Sequence, residues 1–248
     1  MDGLIYSFLA GASTALGAVL LYFFGTPGEK VLSALLGFAG GIMLGISVFE
    51  LLPEALELGS MTTAVVGFLL GCGMMFGLDH VLPHSHLSTA DEIVVENPEN
   101  IGMENKPMLR MGYLILFGIA LHNLPEGLAI GAGLEASPEL GLAIAVAIGL
   151  HNVPEGLAMA GPLKAGGLPI GKIFLFTLLA GLMTPLGTGI GLLLFSVSPV
   201  MVGGSLAFAA GAMVYIVNDE LIPQANGMHS HLANGGLILG LMMAFVLL

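Results

Sequence analysis

One hexapeptide occurs twice, as His122-Asn123-Leu124-Pro125-Glu126-Gly127 and as His151-Asn152-Val153-Pro154-Glu155-Gly156, each inside an apolar run long enough to cross a bilayer. Ionisable groups at that depth are costly, and they persist where they face one another, a cavity or an ion. His and Glu four apart project from one face of a helix. Pro125 and Pro154 have no N–H for the carbonyls of Leu121 and Leu150, so each helix is expected to kink or loosen one turn before its glutamate. Between the copies, Glu135-Ala136-Ser137-Pro138-Glu139 reads as a tight polar turn closing an antiparallel hairpin. His122 with Glu155, and Glu126 with His151, share one midpoint in this turn, between Pro138 and Glu139, so all four lie roughly 20 Å below the turn at 1.5 Å per residue. That is near the bilayer midplane. An isolated histidine in a membrane helix needs only a neighbouring backbone carbonyl. Two imidazoles and two carboxylates at matched depth instead form a nitrogen and oxygen site suited to a divalent transition metal.

The rest of the chain fits a membrane setting. Of 248 residues, 56% are hydrophobic and only 9% charged, with a mean hydropathy of +0.98, outside the range of a soluble domain. Charge-poor runs at about 3–24, 31–56, 61–82, 109–134, 138–162, 171–195, 200–224 and 232–248 predict an all-α polytopic protein with eight transmembrane helices. All 248 residues read as one transmembrane domain, with 83–108 as an acidic, flexible cytoplasmic loop. The first run opens with Asp2 and no basic residue, unlike a cleavable signal.

The five basic residues set the expected orientation. Lys30, Lys106, Arg110, Lys164 and Lys172 fall between, or at the adjoining ends of, runs 1 and 2, 3 and 4, and 5 and 6, while the alternate loops have none. By the positive-inside rule those three loops face the cytoplasm and both termini lie outside, in the periplasm or extracellular space of a cell (inner) membrane protein. The net charge of −12 comes without any basic patch, which excludes a nucleic-acid partner and suits cation handling. The single Cys72 excludes a disulfide framework and a thiolate metal cage.

A second internal match is more diffuse. Shifted by 170 positions, 36–55 and 206–225 agree at Leu36, Phe38, Ala39, Gly41, Met43, Ile46, Glu50, Leu51, Pro53 and Ala55. In the expected topology the second run points outward and the seventh inward, so runs 1–3 and 6–8 read as inverted repeats around the hairpin of runs 4 and 5. This arrangement is typical of an alternating-access transporter.

Other polar residues mark candidate entry or exit paths. Met43, Glu50 and Glu57 are seven apart on one helix face and form a ladder from the outer surface, although Glu57 equally suits a solvated helix end. Asp219 and Glu220 belong to the opposite, cytoplasmic side. His80, His84 and His86 lie at the end of the third run, with His229 and His231 between the seventh and eighth. Such short histidine tracts either capture a released metal or are ordinary solvated turn residues.

With these residues in view, the chain resembles the ZIP (Zrt/Irt-like) metal transporters, most closely the bacterial GufA-like branch. The likeness rests on F-A-x-G-x-M with E-L-L-P-E in run 2, D-H-V-L-P-H-S-H after run 3, both H-N-x-P-E-G copies, and A-F-A-A-G-A-M with E-L-I-P in run 7. It implies eight helices, cation movement toward the cytoplasm and a homodimer. It also implies His122, Glu126, His151 and Glu155 as primary ligands, with Asn123 and Asn152 serving a second, adjacent metal position. Where many relatives have Glu before the proline of helix 6, this chain has Thr184, which cannot supply that carboxylate.

The expected cargo is Zn²⁺, with Fe²⁺, Mn²⁺, Co²⁺ and Cd²⁺ as neighbours, carried as substrate and without a cofactor. Imidazoles argue against Mg²⁺, and the lack of thiolates against Cu(I). The competing class is an intramembrane metal-dependent hydrolase or oxidase, but neither H-E-x-x-H nor E-x-x-H is present.

Overall fold

The computed structural model describes residues 2–81, 84–87, 93–96, 107–195 and 198–247. Helices dominate: α1 Asp2–Ala12, α2 Thr14–Phe24, α3 Glu29–Ile46, α4 Leu52–Leu58, α5 Met61–Val81, α6 Pro107–Ala136, α7 Pro138–Ala165, α8 Ile170–Gly181, α9 Met183–Phe195, α10 Pro199–Ile216 and α11 Ile222–Leu247. A two-stranded antiparallel ribbon, β1 His84–Leu87 with β2 Ile93–Glu96, lies inside the 83–108 segment, most of which falls outside the described residues. His84 and His86 are on β1 and His80 is in the last turn of α5; their side chains are likewise outside the description.

Among the described residues, seven helical stretches are long and apolar enough to cross a membrane. The expected boundary between runs 7 and 8 is where structure and sequence differ. Pro199–Leu247 is one stretch of 49 residues, bent at His229, whose backbone leaves the helical region (φ −164°, ψ 93°). What reads as a loop is therefore a kink. Leu232 N–H donates to His229 Nδ1 (3.4 Å), and Ser33 Oγ lies 2.8 Å from His229 O and 2.9 Å from Ala225 O, so neighbouring polar groups hold the bend.

The first and sixth runs are also interrupted. The α1–α2 break falls at Ser13, whose hydroxyl lies within hydrogen-bond distance of Ala10 O and Gly149 O and so competes with the helix ladder. The α8–α9 break falls at Leu182, three residues before Pro185, which has no N–H to offer Gly181 O. Pro125 and Pro154, by contrast, sit inside the continuous helices α6 and α7.

A π-helical turn follows α3 at Ser47–Leu51 and another follows α10 at Val217–Leu221, each just ahead of a proline at Pro53 or Pro223. Widening the helix accommodates the ring and the missing donor. The two turns are 170 residues apart, the offset of the internal match.

Small residues set the packing. A Cβ on Gly37 or Gly41 would overlap the α11 backbone at Ala233 or Leu237, and one on Gly67 or Gly71 would overlap the α10 backbone at Gly204 or Phe208. Parallel pairs α3/α11 and α5/α10 thus meet backbone to backbone, as helices do where lipid supplies no hydrophobic driving force. Cys72 adds a thiol contact to Gly211 O (3.2 Å) in the second seam, consistent with a packing residue. Large apolar side chains such as Phe24, Leu193 and Val246 point outward, where a bilayer would receive them.

Candidate metal centre

Both hexapeptides lie in the middle of α6 and α7, which form the expected antiparallel hairpin. Ser137 Oγ accepts from Leu140 N–H at its turn (3.1 Å) and caps α7. The pairing predicted from counting is the pairing observed. His122 Nε2 lies 3.1 Å from Glu155 Oε2 and His151 Nε2 lies 2.8 Å from Glu126 Oε1, both within hydrogen-bond distance. All four side chains are at most 1% exposed.

His122, Glu126 and Glu155 each offer a ligand atom within 4.8 Å of the other two. His151 is outside this three-residue group and reaches it through Glu126. The donor set is nitrogen and carboxylate oxygen, which fits a borderline divalent ion. Several buried atoms lack any hydrogen-bond partner: Nδ1 of both histidines, Glu126 Oε2 and Glu155 Oε1. Each such atom costs about 1–3 kcal/mol, more when charged, unless something satisfies it. A cation held by this group would remove that cost for the two carboxylate oxygens.

The asparagines face outward from the hairpin. Asn123 Nδ2–H donates to Ala180 O (3.0 Å) and Asn152 Nδ2–H to Ala10 O (3.1 Å). A carbonyl accepts only, so these bonds fix both amide orientations and leave each Oδ1 without a partner. The glycine ending each hexapeptide allows close approach by a neighbouring helix: a Cβ on Gly127 would overlap Thr184 O, and one on Gly156 would overlap Thr14 O. Thr14 and Thr184 are fully buried, and neither Oγ1 has a partner.

Thr14 was not marked by sequence reasoning, because it lies in an apolar run without a motif. The signal was present. At the same shift of 170, Leu9, Ala10, Gly11, Thr14, Leu16 and Gly17 match Leu179, Ala180, Gly181, Thr184, Leu186 and Gly187.

The candidate path residues are spread out. Glu220, in the second π turn, lies beside α6 one turn before His122; a Cβ on Gly118 would be 3.5 Å from Glu220 Oε1. Asp219 shares that turn. Glu50 is half-buried in the first π turn and Glu57 is exposed near the end of α4. Met43 is fully buried in the core, where its backbone carbonyl accepts from Ser47 Oγ (2.8 Å). His231 is exposed, its ring 6.4 Å from that of His229.

Membrane-length helices around a buried His/Glu centre define a polytopic membrane protein equipped to handle a metal ion. A family model described as ZIP Zinc transporter matches residues 98–248. Zinc transporter ZupT of Escherichia fergusonii and that of Shigella flexneri are each 39% identical over 227 residues, covering 90% of this chain and 86% of theirs. ZupT of Salmonella newport matches to the same extent. The chain belongs to the ZIP family, a family of transporters and not of enzymes.

Proposed function

We propose that this protein moves divalent transition-metal cations, Zn²⁺ first among them, across the cell membrane toward the cytoplasm; the relatives it resembles are named zinc transporters. The observation that carries the reading is the buried group of His122, Glu126 and Glu155, an ion-sized arrangement inside helices of membrane length. His151 and the two asparagines complete its surroundings.

The protein crosses the membrane eight times and operates by alternating access between inverted repeats. A 49-residue helical stretch is about 74 Å long at 1.5 Å per residue, more than two bilayer cores, and its bend at His229 suits two crossings. The inversion is supported by directions of packing. The first run lies parallel to α7, through Asn152 to Ala10 and Gly156 to Thr14, and the sixth parallel to α6, through Asn123 to Ala180 and Gly127 to Thr184. Because α6 and α7 are antiparallel, the matched segments run in opposite senses. Both termini face outward, the 83–108 segment is cytoplasmic, and two copies form a homodimer. Glu220 receives the ion on the cytoplasmic side, followed by Asp219 and the histidine tracts, while Glu50, Glu57 and Met43 serve the outer approach.

The test is zinc uptake into proteoliposomes, competed by Mn²⁺, Fe²⁺, Co²⁺, Cd²⁺ and Mg²⁺. Saturable uptake blocked by transition metals but not by Mg²⁺ is expected, together with its loss in the Glu126→Gln, Glu155→Gln double variant. Full uptake by that variant would refute the site.

A further inference from the structure

Among the described residues, Thr14 and Thr184 carry the two buried hydroxyls that have no hydrogen-bond partner. Other buried or part-buried hydroxyls nearby are engaged: Thr188 donates to Gly127 O (2.9 Å), and Ser13 lies 2.8 Å from Gly149 O. The exceptions are 170 residues apart and sit at matching places, each at the start of the second half of an interrupted helix. They are also neighbours. The half-helices cross at Gly11 and Gly181, where a Cβ on either would overlap the other's carbonyl; a Cβ on Gly181 would lie 3.2 Å from Thr14 Oγ1 and one on Gly11 3.1 Å from Thr184 Cβ.

This crossing adjoins the asparagines. Asn123 donates to Ala180 and Asn152 to Ala10, the residues immediately before Gly181 and Gly11, and both Oδ1 atoms are buried and unpartnered. Four neutral oxygens, two hydroxyl and two amide, are therefore left uncommitted on the flank of the His/Glu group. Each asparagine follows a ligand histidine in sequence, and each threonine packs on the glycine that follows a ligand glutamate.

We infer that Thr14 and Thr184, with Asn123 and Asn152, hold two water molecules that remain on the transported ion; this rests on the transport reading above. A water bound to a metal has given a lone pair to the cation and presents two O–H groups, so two waters need four acceptors. Four uncommitted acceptors are available, and being neutral they hold water without adding charge that would trap the ion. The consequence is a choice of coordination. One histidine nitrogen, two carboxylates and two retained waters would give five donors, and six where one carboxylate uses both oxygens, which suits Mn²⁺ and Co²⁺, whereas Zn²⁺ prefers four ligands and can shed its waters. Thr14, on a helix not otherwise credited with a role at the site, is thus a positioning residue for cation selectivity, acting through the ion's water.

Valine has nearly the shape of threonine without the hydroxyl, so Thr14→Val, Thr184→Val and the double variant test this directly. The readouts are the ratio of Mn²⁺ to Zn²⁺ uptake in proteoliposomes and the visible spectrum of bound Co²⁺. In the double variant the ratio should fall at least tenfold, and the weak bands of six-coordinate Co²⁺ should give way to the intense bands of four-coordinate Co²⁺. The Thr14→Ser, Thr184→Ser double variant, which keeps both hydroxyls, should behave as the unmodified protein in both readouts. Mn²⁺ and Zn²⁺ uptake falling in equal proportion, or a Co²⁺ spectrum identical to that of the unmodified protein, would overturn the inference. Failure of the unmodified protein to move any metal would instead refute the transport reading, while the Co²⁺ spectrum still reports on the water cage.

Discussion

His151 Nε2 stands 2.8 Å from Glu126 Oε1, across the hairpin, although Glu155 lies one turn along its own helix. The reciprocal pair, His122 with Glu155, is built the same way. The glutamates are thereby shared between helices, and an ion that binds both ties α6 to α7.

The two histidines should not be equivalent. His122 belongs to the group whose ligand atoms lie within 4.8 Å of one another, and His151 hydrogen-bonds Glu126 from outside that group. Replacing His122 by Ala should lower zinc affinity more than His151→Ala, whose loss should be on the order of 10–100-fold, as for a residue that orients a ligand. Titration calorimetry of the purified variants measures both. Equal losses would place His151 among the direct ligands.

The terminal glycines of the hexapeptides should be intolerant for a different reason. Gly127→Ala and Gly156→Ala put a methyl group into the backbone of a neighbouring helix, which costs about 1–3 kcal/mol or more where that backbone cannot retreat. Gly161→Ala, on the same helix as Gly156, meets nothing within 4 Å and should be neutral or stabilising by about 0.5–1 kcal/mol. Thermal unfolding in detergent should separate the two classes, and similar midpoints for all three would contradict the packing.

Orientation is testable at the ends of α7. Glu139 and Lys164 are both exposed, and neither caps the helix, whereas Ser137 does and should be left intact. In a background with Cys72 replaced by Ala, cysteine at 139 should react with an impermeant thiol reagent from outside and cysteine at 164 only from inside. The opposite pattern would reverse the proposed topology.

Metal stoichiometry follows from charge. Two divalent ions a few ångströms apart repel strongly, and carboxylates offset that repulsion. The centre supplies Glu126 and Glu155, enough for one dication, with Thr184 buried where a third carboxylate would help a second. Elemental analysis should find one tightly held metal per subunit, rising to two in Thr184→Glu. Two ions in the unmodified protein would defeat the argument.

Much of the centre could be read in advance because it depends on counting. Helical rise and a tight turn are enough to set His122 against Glu155 and Glu126 against His151. The match between 36–55 and 206–225 likewise anticipates that α3 and α10 end in the same π-helical device, since Pro53 and Pro223 occupy corresponding places. The interruption at Ser13 was less accessible, because a hydroxyl competing for one carbonyl leaves no mark on hydropathy, whereas the one at Leu182 was signalled by Pro185 alone. The bend at His229 was hidden for the opposite reason: polar residues there read as a loop, while the backbone keeps helical geometry on both sides. Thr14 escaped notice because its importance comes from what packs on it, and the glycine that does so is 142 positions away.

The α3–α11 seam has a thermal consequence. Its contacts at Gly37, Gly41, Gly236 and Gly240 are between backbones and owe little to the release of ordered water. Attraction of that kind does not fade on cooling as apolar burial from water does. This pair of helices should therefore keep its register near freezing, leaving the temperature dependence of the cycle to the parts that exchange protein contacts for solvent.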